Sequence, residues 1–226
     1  MWKDRTKALI GDVGVKKLEN SHVAVIGVGG VGGYVCLMLA RAGVGRITLV
    51  DFDRVDETNI NRQVVANVNT IGMLKTEVMR NMILSINKDC KVDIFSERFC
   101  AQFADRLFSN KFDYVVDAID SVSDKIELIV YCKQHGINII SAMGTGNRID
   151  IPHFKVTDIY KTSNDGLARV MRKKLREQGI EKLDVVTSES PAIKNDENKN
   201  IIGSISYYPA MCGCVLSAFV IDKILN

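Results

Sequence analysis

The run Gly27-Val28-Gly29-Gly30-Val31-Gly32 constrains this chain more than any other stretch. It follows the apolar segment His22-Val23-Ala24-Val25-Ile26 and leads into residues 31–42, which read as a helix. A short apolar run ending in glycine is the pattern of a buried parallel strand. Gly27, Gly29 and Gly32 fit G-x-G-x-x-G in the strand–turn–helix setting that gives the motif its meaning. The first glycine permits a tight turn, the second lets backbone approach a phosphate, and the third lets helix and strand pack closely. Free N–H groups at the helix start then face the anion. Asp51 ends the next strand, 19 residues after Gly32, where it can accept hydrogen bonds from ribose hydroxyls. These features accommodate NAD as well as ATP.

The same alternation continues along the chain. Strands are expected at residues 46–51, 91–96, 113–117 and 137–142, and helices at 12–20, 75–86 and 121–134. Val78, Met79, Met82, Ile83 and Ile86 recur at helical spacing. Strands alternating with helices predict an α/β, Rossmann-like, doubly wound and mostly parallel sheet. Beyond Gly146 the rhythm changes, with strands expected at 153–157 and 185–188, a helix at 165–178 and a polar, mobile loop at 195–200. This part reads as a C-terminal extension of one nucleotide-binding domain, residues 1–226.

A net charge of +3 excludes a nucleic-acid binder recognisable from bulk charge, so any basic surface must be local. The six cysteines include no C-x-x-C pair, which argues against a four-cysteine zinc site. Cys212 and Cys214 read as small residues packed in a terminal helix rather than a redox pair. The opening Met1-Trp2-Lys3-Asp4-Arg5 has no apolar segment behind it, so the expected compartment is the cytoplasm. Residues 201–225 are strongly apolar but contain Pro209, Asp222 and Lys223. A buried helix is the favoured reading there, and a membrane-associated tail the alternative.

Three further elements favour ATP. Asp51-Phe52-Asp53 leads into Asn59-Ile60-Asn61-Arg62-Gln63, and Lys75 opens the next helix. Two cations beside a pyrophosphate suit an enzyme that must offset charge building on an attacked phosphate. Asp120, in Asp117-Ala118-Ile119-Asp120-Ser121, follows a strand at the carboxyl edge and is a candidate Mg²⁺ ligand. The competing readings are solvated surface charge for Arg62 and Lys75, and a helix N-cap for Asp120.

These stretches resemble the ubiquitin-activating-enzyme-like (ThiF/MoeB/HesA) superfamily. By that resemblance Gly27, Gly29, Gly30, Gly32, Asp51, Asp53 and Asn59 would form the ATP site. Arg62 and Lys75 would hold the triphosphate, Asp120 would ligate Mg²⁺, and Arg5 would reach the site of the partner subunit in a homodimer. The segments at residues 5–11, 117–125, 156–162, 165–176 and 186–191 are similar to one branch, the tRNA threonylcarbamoyladenosine dehydratases. That branch implies ATP-dependent cyclisation of N6-threonylcarbamoyladenosine in tRNA through a carboxyl-adenylate. Sulfur-relay or redox proteins are possible further partners.

The helix after Asp165 suits such a substrate. Leu167, Val170, Met171 and Leu175 form an apolar stripe, and Arg169, Arg172, Lys173 and Arg176 a basic one beside it. A row of cations can track a phosphate backbone, although a solvated basic face reads the same way. Three rival readings share the nucleotide motif: adenylation of a ubiquitin-like sulfur carrier, NAD-dependent oxidoreduction, and a non-catalytic nucleotide-binding partner protein, against which the joint presence of Arg62, Lys75 and Asp120 speaks.

Overall fold

A computed structural model describes residues 2–193 and 201–226; the loop expected at residues 195–200 lies outside them. The chain begins with helix α1 (Asp4–Glu19), kinked at Gly11, whose φ of 69° is the left-handed backbone that glycine tolerates. The expected helix at 12–20 is the second limb of α1. The chain continues through β1 (His22–Ile26), α2 (Gly32–Ala42), β2 (Arg46–Val50), α3 (Lys75–Ile86) and β3 (Lys91–Phe95). Next come α4 (Ala101–Leu107), β4 (Tyr114–Asp117), α5 (Val122–Gln134) and β5 (Ile139–Ala142). The last elements are β6 (Phe154–Asp158), α6 (Gly166–Glu177), β7 (Asp184–Ser188) and α7 (Tyr207–Leu225).

The strands form one seven-stranded sheet in the order β3-β2-β1-β4-β5-β7-β6. All pairings are parallel except β6–β7, which puts an antiparallel strand on the edge. The fold is thus α/β and mostly parallel, as the sequence predicts. All of β1 is buried, because helices cover both faces of the sheet. Successive side chains point to opposite faces. Val23 and Val25 join the core under α2, α3 and α7, with Val35, Leu39, Ile83 and Leu216. Ala24 and Ile26 join the core under α4, α5 and α6, with Leu107, Leu128, Met171 and Leu175.

Two elements differ from expectation. Helix α4 has no counterpart in the sequence reading; its seven residues bury Phe103, Ala104 and Leu107, too short a run to show a period. On α6 the buried stripe is Ala168, Met171 and Leu175, whereas Val170 is 40% exposed. The stripe is therefore rotated by one small residue from the one the bulky side chains suggest. Asp165 caps this helix by accepting the Ala168 N–H at 2.9 Å, a contact worth about 1 kcal/mol.

Helix α7 is long and apolar enough to cross a membrane by length and composition. It lies against α2 and β6, with Tyr208, Cys212, Leu216 and Val220 fully buried. Gly213 makes the approach to α2 close: a Cβ there would sit 2.6 Å from the Val31 carbonyl oxygen. Burial pushes the Cys212 thiol up to about 12, as befits a packed side chain.

One of the closest backbone approaches in the fold is at Gly32, where a Cβ would stand 1.8 Å from the Gly27 carbonyl oxygen. Gly32→Ala should therefore cost about 3 kcal/mol or more, seen as a fallen thermal midpoint or as insoluble protein. Gly166→Ala, where nothing lies within 4 Å, should stay within about 0.5 kcal/mol of the parent. Equal midpoints for the two variants would contradict this packing.

Candidate active site

The sheet order reverses between β1 and β4, and in folds of this kind ligands bind outside the carboxyl ends of the strands at that point. The glycine loop leaves β1 there. Gly27 has φ of 92° and donates its N–H to the Val50 carbonyl at 2.8 Å. A Cβ on Gly27 would meet the Ala118 carbonyl oxygen at 2.6 Å, so the turn after β4 closes directly on the loop.

Asp51 ties the loop to β2. Its Oδ2 accepts the Val28 N–H at 2.6 Å and its Oδ1 accepts the Asp53 N–H at 2.8 Å. Burial holds its carboxyl above the ordinary carboxylate range, against the pull of the Val28 N–H and of Lys75. A carboxylate offers about four lone-pair sites, so both contacts leave capacity for ribose hydroxyls. Lys75 opens α3 and is 5% exposed, not a surface lysine. Its Nζ pairs with Asp53 Oδ2 at 2.7 Å.

Residues 59–64 run along the glycine loop. The Arg62 side chain lies beside Gly30, Gln63 beside Gly29 and Val64 beside Gly33. The Arg62 guanidinium is held by the Thr58 carbonyl at 2.9 Å and by Asn61 Oδ1 at 2.8 Å. Asn59 is buried and organises this turn: its Oδ1 accepts the Asp56 N–H, and its carbonyl accepts the N–H groups of Arg62 and Gln63. Asp120 is exposed on the turn after β4 and is not an N-cap, since Ser121 holds that position on α5. Among the described residues its carboxylate has no hydrogen-bond or ion-pair partner. Arg5 is exposed on the first turn of α1, which packs on α7.

The basic face of α6 divides in two. Arg172 bonds the Thr162 carbonyl at 3.0 Å and its hydroxyl, and Arg176 stacks over the Tyr160 ring at 4.9 Å. Arg169 and Lys173 are exposed, as is Lys174.

Several residues that shape this crevice escape sequence reasoning. Gln63 is buried with its Oε1 unpaired among the described residues. Arg98 forks onto Asp124 at 2.6 and 2.8 Å and holds that carboxyl below its ordinary range. Asp117 and Lys125 pair at 2.8 Å with no exposure. Arg148 is 4% exposed and gathers the carbonyls of Gly144, Asn164 and Ser190. Asp165 accepts the Gly144 N–H at 2.9 Å beside it.

Comparison with known proteins identifies relatives along the whole chain. The chain is 38% identical over 238 residues to tRNA threonylcarbamoyladenosine dehydratase of Bacillus subtilis (strain 168), spanning 98% of this chain and 94% of that protein. It is 38% identical over 178 residues to the protein of the same name from Escherichia coli (strain K12), spanning 77% and 66%. Crystal structures of the E. coli dehydratase TcdA superpose with TM-scores of 0.92 in complex with AMP and 0.91 with ATP. Each is 32% identical and covers 99% of this chain and 95% of that one. E. coli MccB, at 21% identity and a TM-score of 0.69, shares the fold. The ThiF family model matches residues 3–226. The chain therefore belongs to the ThiF family, within which its likeness to the tRNA threonylcarbamoyladenosine dehydratases runs the length of the chain.

Proposed function

We propose that this chain is an ATP-dependent tRNA threonylcarbamoyladenosine dehydratase, with residues 1–226 acting as one adenylating domain. The observation that carries the reading is the assembly of the glycine loop, Asp51, Arg62, Lys75 and Asp120 around one crevice, in a chain 98% aligned with a dehydratase of that name. The threonyl carboxylate of the modified adenosine attacks the α-phosphate of ATP. The bond from that phosphorus to the bridging oxygen breaks and pyrophosphate leaves. The ureido group then attacks the acyl carbon, AMP leaves, and the ring closes with net loss of water. Closure is intramolecular, so proximity supplies much of the rate and no cysteine nucleophile is needed.

The chain's groups fall into roles. Gly27, Gly29, Gly30 and Gly32 let the phosphates reach backbone N–H groups, and Asp51 receives the ribose. Asp53 and Asn59 hold Lys75 and Arg62 at the triphosphate, where both cations offset developing charge. Mg²⁺ belongs to the same reading. Asp120 stands exposed and, among the described residues, unpaired, which suits an ion that takes one or two carboxylates and fills its remaining positions with phosphate oxygens and water. Bound there, the ion would neutralise charge on the pyrophosphate.

Incubation with ATP, Mg²⁺ and tRNA carrying N6-threonylcarbamoyladenosine, followed by mass spectrometry of the nucleosides, should show loss of one water. Calorimetry should show ATP binding more tightly than NAD. The opposite order, with no change in the tRNA, would overturn the function.

A homodimer in the cytoplasm, with Arg5 completing the neighbour's site, follows from the family resemblance and from the exposure of Arg5. Mixing inactive Arg5→Ala with inactive Lys75→Ala protein should restore activity, because half of the mixed sites carry neither substitution. Verified subunit exchange without recovery would remove Arg5 from the partner's site.

Arg169, Arg172, Lys173 and Arg176 are assigned to the tRNA backbone, with Arg169 and Lys173 as its exposed cations. Arg169→Ala with Lys173→Ala should raise KM for tRNA and leave ATP affinity alone. Each lost phosphate contact should flatten the salt dependence by about 0.7–0.9 log units per log unit of salt. An unchanged salt slope would return this face to solvent.

A further inference from the structure

The turn that carries Asp120 rests on a charge pair for which the proposed chemistry has no direct use. Asp117 ends β4 and Lys125 lies one turn into α5; both side chains are 0% exposed, with Nζ and Oδ2 2.8 Å apart. Ser141 of β5 donates its hydroxyl to the same Oδ2 at 2.5 Å. The Ile119 N–H donates to Oδ1 at 3.1 Å, and Lys125 Nζ donates to the Ile119 carbonyl at 3.0 Å. The pair thus grips Ile119 by both of its backbone groups, one residue before Asp120. The preceding residue is held as firmly: Ala118 donates its N–H to the Ile26 carbonyl at 2.8 Å, and its own carbonyl abuts Gly27.

Stability alone does not call for charge at this place. Removing two ions from water costs several kcal/mol each, and shape-matched neutral replacements of buried pairs are often neutral or stabilising. What the ions supply is direction, since a paired carboxylate and ammonium can bind an N–H and a carbonyl of the same residue at once. The turn so fixed carries the exposed carboxylate assigned above to the nucleotide's metal ion.

We propose that Asp117 and Lys125 are positioning residues that hold the turn at residues 118–120, so that the Asp120 carboxylate is oriented for a cation on the ATP phosphates before the nucleotide arrives. This rests on the reading of Asp120 as the metal carboxylate. Their contribution is to the cation and not to the phosphates, which meet the glycine loop, Arg62 and Lys75.

The test compares Asp117→Asn/Lys125→Met, a neutral pair of similar shape, with the parent and with Asp120→Asn. Three quantities are read: the thermal midpoint, the calorimetric affinity for ATP without Mg²⁺, and the Mg²⁺ concentration giving half-maximal pyrophosphate release. The double variant should melt near the parent and bind metal-free ATP within about twofold of it. Its Mg²⁺ half-saturation should rise roughly 10- to 100-fold, the usual effect of losing a group that orients a metal ligand. A folded double variant with the parent's Mg²⁺ response overturns the proposal. Should the double variant not fold, Ser141→Ala decides, because it loosens Asp117 while keeping both ions paired: a raised Mg²⁺ requirement at near-parental ATP affinity supports the role, and an unchanged requirement overturns it. Asp120→Asn separates the two levels. If it leaves the Mg²⁺ response intact, the metal reading falls and the positioning role with it; if it abolishes the response while the paired variants do not, only the positioning role falls.

Discussion

The contact between Gly32 and the Gly27 carbonyl sets the distance from β1 to α2, and the rest of the site is built outward from it. Because no side chain intervenes, the first turn of α2 rises directly from the strand end, where its Gly33 and Tyr34 N–H groups donate to the Gly29 and Val31 carbonyls. The Asp51 carboxylate then fixes the loop's path by taking the Val28 N–H, and reaches on to Asp53, whose own carboxylate takes Lys75. A single chain of hydrogen bonds thus runs from the glycine loop through β2 to the start of α3. Moving any one of these groups would move the cation at its end.

The carboxyl edge of the sheet is also where the protein places charge it could have left in water. Asp117, Lys125, Arg148 and Asp165 are all nearly or fully inaccessible. Burial pushes the Asp117 carboxyl up, and Lys125, the Ser141 hydroxyl and the Ile119 N–H pull it back. Such groups are expensive unless fully satisfied, and here each bonds loop backbone, with Asp117 and Lys125 2.8 Å apart and Arg148 and Asp165 3.9 Å apart. The strands end in a polar layer that ties down turns which a purely apolar core would leave to fluctuate.

The outline of this arrangement was legible in the sequence because it depends on local pattern. The glycine spacing, the apolar run of β1 and the helical period of α3 each report one element's own burial, and the helix predicted over residues 75–86 forms over that span. Asp120 is legible from its position after a strand, and Lys75 from its place at the start of the helix that follows Asp51-Phe52-Asp53 and residues 59–63. What was not legible depends on partners distant in sequence. That β6 runs antiparallel on the edge follows from its pairing with β7 some thirty residues on. Val170 looked like core because it is apolar, yet Ala168 takes the buried place because α6 lies close to α5. Arg172 and Arg176 looked equivalent to Arg169, and only the fold brings Thr162 and Tyr160 up to engage them.

The C-terminal extension answers a different demand from the nucleotide half. An acyl-adenylate hydrolyses if water reaches it, so the proposed reaction needs walls as well as phosphate ligands. Arg148 supplies a way to build them from loops. Its guanidinium draws in carbonyls from the segment after β5, from the approach to α6 and from the end of β7. Asn147, at φ of 56°, continues the joint by exchanging hydrogen bonds with Gly203 and accepting the Ile193 N–H. Asn61, next to Arg62, reaches the same region by donating to the Ser204 carbonyl at 3.0 Å. The extension is thereby bonded to the segment that carries Arg62, the cation assigned above to the triphosphate, so the two parts of the chain are held together at the crevice. That coupling suits an enzyme whose second step must follow its first within the same enclosure.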